Sequence, residues 1–169
     1  MNKEDKINRL DSLFAYHESI ETTTRNFEKI FRSADSDSRL NLLLVLQEET
    51  EEHFLSEEQL VFPSVQRVFP SAHITSLVSS LTVEHRQLIA EISATVNYAQ
   101  KRFSLLQEKE QSQFFSDLAT LFRKILDHTK KENSDIIPLV EGNSSVKVLI
   151  GKTWLNYQAS QQKSHNAVD

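Results

Sequence analysis

The chain has 169 residues, a formal net charge of -5 and no cysteine. Its length suits one domain, and the absence of cysteine excludes disulfides, thiolate nucleophiles, iron-sulfur clusters and cysteine-based zinc sites. The negative charge, without a basic cluster, argues against nucleic acid as a partner. Only two glycines and three prolines occur, so the turn residues that all-β and α/β folds need are scarce. We therefore predict an all-α fold.

No membrane signal is visible in the sequence. The first ten residues, MNKEDKINRL, are charged, and no apolar run approaches the roughly 18 residues of a membrane span. We expect a cytoplasmic protein that does not enter a membrane. We place one domain over residues 1–159 and a flexible tail over residues 160–169.

The first predicted helix runs from about Lys3 to Arg32, where apolar residues recur at spacings of three and four. His17 lies in the middle of this apolar stripe. The segment SADSDS, Ser33 to Ser38, consists of residues that cap helices and make turns. It is expected to end the first helix and to start the second.

The second predicted helix carries an imidazole and a carboxylate within its apolar stripe. The stripe comprises Leu42, Leu43, Leu46, His53, Glu57, Leu60 and Val61. Pro63 disfavours the α conformation at Phe62, so the helix is expected to kink or end there.

Two more long helices follow. The third opens after Pro70 with Ser71 as its cap, and His85 occupies a core position in its stripe. The polar stretch Gln107 to Gln113 is the predicted turn. The fourth helix then presents His128 and Glu132 on its apolar side until Pro138 ends it. A short fifth helix is predicted to cover one end of the bundle, with apolar residues Val146, Ile150, Trp154 and Tyr157.

Two segments of the chain share one skeleton. They are HFLSEEQLVFP, which begins at His53, and HTKKENSDIIP, which begins at His128. In each, a Glu follows the His by four residues and a Pro follows it by ten. Residues four apart on a helix lie on one face, about 6 Å apart along the axis, so each segment aims an imidazole and a carboxylate at the same place.

Four helices with short connections favour an up-down-up-down four-helix bundle. At roughly 1.5 Å per residue, His17 and His85 lie about 20 Å from the starts of their helices. His53 and His128 lie about 15 Å from the prolines that follow them. All four imidazoles therefore fall at a similar depth, and we predict a metal site on the internal axis of the bundle.

Structural alternatives apply to each of these residues. A single His-x-x-x-Glu pair on a helix is usually a surface ion pair. Two matched copies with two more core histidines favour metal, because unpaired polar groups in a dry core cost several kcal/mol. The remaining histidines and the acidic residues of the second helix are expected at the solvated surface: His73, His165, Glu48, Glu49, Glu51, Glu52 and Glu58.

Other metal-binding classes fit less well. The Glu-x-x-His motif of ferritin-like proteins is absent, because Thr50, Thr82 and Ile125 stand three residues before the histidines that would follow the Glu. The zincin motif His-Glu-x-x-His fails at Glu21, where its second His should stand. Imidazole and carboxylate ligands suit iron first, with manganese or zinc less favoured, and carboxylate bridges suit a pair of metal ions.

These residues resemble the hemerythrin-like family, also called the HHE cation-binding domain, from about Leu10 to Pro138. The matching marks are His17, the segment HFLSEE followed by LVFP, the Glu84–His85 pair, and His128 with Glu132. The resemblance implies a non-haem di-iron centre that is bridged by two carboxylates. It further implies this ligand set: Glu57 and Glu132 as bridges, His17 and His53 on one iron, and His85 and His128 on the other.

Two departures from the oxygen-carrying members of this family put reversible oxygen carriage in doubt. Their third helix has a second histidine four residues after the first, where this chain has Ile89. Their fourth helix has a bridging Asp five residues after the His, where this chain has Asn133, with Glu132 one place earlier. Positions on the metals would then stay open for a small ligand or for another carboxylate, for which Glu21 is a candidate.

Three functions remain open on the sequence. The first is a sensing, storage or stress-response protein that binds iron and dioxygen, nitric oxide or peroxide. The second is a redox enzyme with peroxidase-like, nitric-oxide-reducing or iron-oxidising activity, which needs a redox partner because the chain has no cysteine or flavin motif. The third is a metal-free interaction module, whose mark would be apolar residues in place of the ligands. The first is preferred, and the oligomeric state is open.

Overall fold

The structure is a computed structural model that describes residues 16–20, 22, 26, 29, 31, 33–102 and 108–165. No strand occurs among these residues, which confirms the predicted all-α fold. None of the helices in this part of the chain combines the length and the apolarity needed to cross a membrane.

The bundle is built from four helical columns. The first column, α1, is helical at the described positions between 16 and 33. The remaining elements are α2 (Ser36–Ser56), a π-helical turn (Glu57–Val61), α3 (Phe62–Val68), α4 (Ala72–Arg102), α5 (Glu108–Asp135), α6 (Ile137–Glu141) and α7 (Ser144–His165). Helices α2, the π turn and α3 form the second column, and α4 and α5 form the third and fourth. This is the predicted up-down-up-down four-helix bundle with a C-terminal helix.

Both predicted helix caps are present. The side chain of Asp35, within SADSDS, accepts a hydrogen bond of 2.8 Å from the backbone N–H of Ser38 at the start of α2. The hydroxyl of Ser71 accepts one of 3.2 Å from the N–H of Ile74 at the start of α4. Each bond satisfies a donor that the first helical turn leaves free.

The second column changes helix type before Pro63. The backbone N–H of Phe62 bonds to the carbonyl of Glu57, five residues back, as in a π-helix. Pro63 has no N–H, and its ring would clash with the carbonyl of Gln59 in a regular α-helix. The predicted kink is therefore a π turn, and it begins at the candidate ligand Glu57.

Three expectations about the helices differ from the structure. The predicted turn from Gln107 to Gln113 is helical from Glu108 onward, because Glu, Lys and Gln are good helix formers whatever their polarity. Leu42 is 41% exposed rather than part of the core stripe. Helix α7 continues past residue 160 to His165, so it is longer than the predicted short helix. The boundary of the flexible tail stays a prediction.

The core consists of two apolar clusters separated by a polar layer. Along α4, the residues from Ile74 to Leu81 belong to one cluster and those from Leu88 to Ala99 to the other, with His85 between them. Helix α7 closes the first of these clusters through Val146 and Ile150, as the sequence predicted. The polar layer is thus shielded from solvent along the bundle axis.

Candidate metal centre

The polar layer contains all six residues that the sequence selected as candidate ligands. They come from all four columns, and each is at most 5% exposed: His17, His53, Glu57, His85, His128 and Glu132. We call His17 with His53 the first imidazole pair, and His85 with His128 the second. Each pair takes one residue from each of two columns, as the duplicated motif requires.

The first imidazole pair directs its Nε2 atoms at one another and at a carboxylate. The two Nε2 atoms lie 2.9 Å apart. Glu57 Oε1 lies 3.3 Å from His53 Nε2 and 3.6 Å from His17 Nε2. Candidate ligand atoms of these three residues and of Glu132 all lie within 4.8 Å of one another, which is compact enough to surround one metal ion.

The second imidazole pair has the same arrangement around Glu132. Its Oε1 atom lies 3.1 Å from His128 Nε2 and 3.2 Å from His85 Nε2. Candidate ligand atoms of these three residues again lie within 4.8 Å of one another. The structure therefore contains two adjacent clusters of nitrogen and oxygen donors.

Each carboxylate reaches both clusters with different oxygen atoms. Glu57 directs Oε1 at the first pair, while its Oε2 lies 3.6 Å from His85 Nε2. Glu132 directs Oε1 at the second pair, while its Oε2 lies 3.5 Å from His17 Nε2. This is the arrangement in which a carboxylate can bridge two metal ions.

The buried nitrogen and oxygen atoms of the site do not satisfy one another's hydrogen-bonding capacity, whereas metal ions would. Three buried atoms of the described residues have no hydrogen-bond partner: Glu57 Oε2, His128 Nε2 and Glu132 Oε2. All three face the centre of the layer. Unpaired polar atoms in a dry core are costly, and a cation between the carboxylates and the imidazoles would satisfy them. Nitrogen and carboxylate donors suit iron, manganese or zinc.

The outer nitrogens of three imidazoles donate hydrogen bonds away from the centre. His85 Nδ1 donates to Glu58 Oε1 at 3.0 Å, and His128 Nδ1 donates to Glu84 Oε2 at 3.0 Å. His17 Nδ1 donates to Asn133 Oδ1 at 2.7 Å. With the proton on Nδ1, the lone pair of a neutral imidazole lies on Nε2 and points at the centre, which is the tautomer that could bind a metal ion there.

Aromatic rings fix the orientation of two imidazoles. Tyr16 stacks on His53 with ring centroids 3.9 Å apart, and its hydroxyl hydrogen-bonds Thr50 Oγ1 at 2.8 Å. Phe54 stacks on His85 at 3.9 Å with the ring planes nearly parallel. Burial raises the pKa of the Tyr16 hydroxyl above 10, so the phenol stays protonated at neutral pH.

Electrostatics in the metal-free site favour protonated His17 and His128 beside the ionised carboxylate of Glu132. Burial opposes charge on His17, but contacts with Glu132 and Glu57 outweigh it and raise its pKa from 6.5 to about 10. The pKa of His128 is also raised, since its contacts with Glu132 and Glu84 outweigh burial. Desolvation alone would raise the pKa of Glu132, yet its imidazole neighbours hold it well below 4.5. Protons therefore occupy the places that a metal cation would take.

Some expectations about single residues need correction or fall outside the described part. Glu58 was expected at the solvated surface, but its side chain is only 34% exposed and contacts His85, so that expectation is wrong. His73 is exposed as predicted. The side chains of Glu21 and His165 lie outside the described ones. Ile89, which stands where a fifth histidine was sought, packs partly buried against the apolar core.

Sequence reasoning also missed the outer acceptors Glu84 and Asn133 and the stacking Tyr16. In the sequence Glu84 stands out only as the neighbour of His85, yet in the structure it contacts His128 on another helix. Asn133 stands out in the sequence only as a departure from the family pattern, yet it contacts His17 on another helix. The available signal was an acidic residue next to a candidate ligand: Glu58 follows Glu57, and Glu84 precedes His85. Spacing along one helix, however, does not reveal a partner on another helix.

Comparison with protein families matches residues 8–140 to the hemerythrin HHE cation binding domain. This chain belongs to that family. The match covers the two duplicated segments and every candidate ligand, and it confirms the resemblance read from the sequence. No curated protein and no solved structure matches the chain significantly. Membership of an HHE family and the buried His/Glu clusters together make this a metal-binding type of domain.

Proposed function

We propose that the site holds two iron ions, one at each imidazole pair, bridged by Glu57 and Glu132. The observation that carries the proposal is the position of the four carboxylate oxygens: each residue turns one oxygen to each pair. Iron is preferred over manganese and zinc because imidazole mixed with carboxylate suits it and carboxylates commonly bridge iron pairs.

The surrounding residues prepare the site for cations. The two carboxylates supply negative charge. Because the apolar clusters on both sides keep water out, the carboxylates attract a cation more strongly than they would in solvent. The outer hydrogen bonds hold His17, His85 and His128 in the metal-binding tautomer. When bound, a pair of iron ions supplies redox chemistry and positions at which a small molecule can bind.

We further propose that the protein binds a small ligand such as dioxygen, nitric oxide or peroxide in a sensing, storage or stress-response role. Each metal would receive two imidazoles and shared carboxylates, which leaves positions open on an iron ion. An open groove of about 370 Å³ between α4 and α5 is lined in part by His128 and Glu84, on the outer side of that imidazole. In this proposal the residues of the chain bind and orient the metal ions, and catalytic turnover of the small ligand is not required.

The first experiment measures iron per chain in protein purified without chelator from iron-rich medium. We expect close to two irons per chain. The matched pair of variants is His85→Ala, in the buried layer, and His73→Ala, at the exposed start of α4. The first should lower the iron content and the second should leave it unchanged. Iron near zero in the unmodified protein would overturn the proposal.

The second experiment separates a binding protein from a redox enzyme. Reduced, iron-loaded protein is mixed with peroxide or with nitric oxide, and the amount consumed per chain is measured. Consumption that stops near the iron content supports binding. Many turnovers in the presence of an added electron donor would favour the enzyme, which then requires a redox partner protein.

A further inference from the structure

The two imidazole pairs differ in the groups that accept hydrogen bonds from their outer nitrogens. In the second pair, both Nδ1 atoms donate to carboxylates: Glu58 for His85 and Glu84 for His128, each at 3.0 Å. In the first pair, His17 donates to the neutral amide oxygen of Asn133. The sequence duplication therefore does not extend to these outer acceptors.

A carboxylate acceptor changes a metal ligand more than an amide does. Hydrogen bonds to an ionised group are roughly twice as strong as those between neutral groups. Such a bond raises the basicity of the imidazole and fixes its ring orientation, and its loss typically costs about 10- to 100-fold in metal affinity. The second pair should accordingly bind a cation more tightly.

Glu84 is held in place for this role by neighbours of its own. Its Oε1 atom accepts hydrogen bonds from Lys131 Nζ and, at 3.2 Å, from the Ser80 hydroxyl, while its Oε2 atom accepts from His128. The ammonium group of Lys131 also places a positive charge beside the Glu84 carboxylate.

Glu58 follows Glu57, a candidate bridging residue, and also contacts His85. Glu57 contacts the inner nitrogen of His85 and Glu58 contacts the outer one, at 3.6 Å and 3.0 Å. Because α2 and α4 are neighbours in the bundle, consecutive residues at the start of the π turn that follows α2 can contact both sides of one imidazole. The side chains of Glu58 and Glu84 are 34% and 30% exposed, so replacing either by Gln opens no buried cavity.

We infer that Glu58 and Glu84 are positioning residues that make the second imidazole pair the tighter of two metal positions, so that it fills first. The inference rests on the proposed two-metal function. The competing explanation is that both residues form ordinary ion pairs at the edge of the bundle, which would affect folding but not the order of metal binding.

The test is an anaerobic calorimetric titration of the chelator-treated full chain with Fe²⁺. We expect two binding steps in the unmodified protein. Glu58→Gln and Glu84→Gln should each weaken the tighter step about 10- to 100-fold and bring it toward the weaker one. Asn133→Asp, which gives His17 a charged acceptor, should strengthen the weaker step. The matched control is Glu91→Gln, which removes a surface partner of Lys124 on the same helix as Glu84.

The outcomes separate this inference from the proposed function. Failure of the unmodified protein to bind two metals overturns both. Two steps of equal affinity, or Gln variants that change the steps no more than Glu91→Gln does, overturn the inference and leave the two-metal site standing. Melting of each metal-free variant is the check on folding, and a lowered melting temperature with unchanged metal binding would favour the ordinary ion pairs.

Discussion

The strongest single test of the bridging geometry is the substitution Glu132→Gln. The oxygens of Glu132 lie 3.1 and 3.2 Å from the Nε2 atoms of the second pair and 3.5 Å from that of His17. Gln keeps the shape of the side chain and removes its charge. Because one carboxylate contacts both pairs, we expect both metal positions to weaken together.

The magnitude follows from binding linkage. A metal at a thousandfold excess over its Kd adds roughly 4 kcal/mol to the free energy of unfolding. If each Kd rises about 100-fold, each contribution falls to roughly 1.4 kcal/mol, so two positions lose about 5 kcal/mol together. At about 2–4 °C per kcal/mol for a chain of this size, the metal-dependent rise in melting temperature should shrink by about 10–20 °C.

The assay is thermal melting by circular dichroism with and without Fe²⁺ under anaerobic conditions. His17→Ala removes one ligand from one position and should lose about half as much of the metal-dependent rise. Glu52→Gln, at an exposed position of α2, is the matched charge control and should lose none of it. Equal losses in Glu132→Gln and His17→Ala would refute the bridging role.

Three further predictions concern pH and packing. For the metal-free protein, the raised pKa of His17 stabilises the fold below pH 6.5 and this contribution is lost as pH rises toward about 10, whereas the lowered pKa of Glu132 stabilises above pH 4.5 and is lost in acid. Melting temperatures of the metal-free protein should therefore peak between pH 4.5 and 6.5. The increase in melting temperature on adding metal should grow above that range, because ligation requires neutral imidazoles. An increase that does not depend on pH would contradict this. Phe54→Ala removes a buried ring stacked on His85 and should cost about 3–5 kcal/mol in urea unfolding as well as lower iron content. Ile150→Ala, in the cluster closed by α7, should cost about 2–5 kcal/mol yet leave iron per chain unchanged, and loss of iron there would show that α7 supports the site directly.

Much of the site could be predicted because its information is local. The four-residue spacing of His53 to Glu57 and of His128 to Glu132 fixes which side chains share a helix face, whatever the rest of the chain does. The caps at Asp35 and Ser71 are local for the same reason. Pro63 likewise predicted an interruption of the second helix, since a missing N–H affects only the adjacent turns.

Features that depend on the rotation of one helix against another required the tertiary structure. Successive residues on a helix differ by about 100° in direction, so periodicity identifies the inward face but not which edge residue meets a neighbouring column. The contacts of Glu58 with His85 and of Glu84 with His128 are of this kind. By itself, the sequence determined the types of the candidate ligand residues, their spacing on each helix and the all-α fold. Only packing decided which carboxylate faces which imidazole, because that depends on the rotation and register of four columns at once.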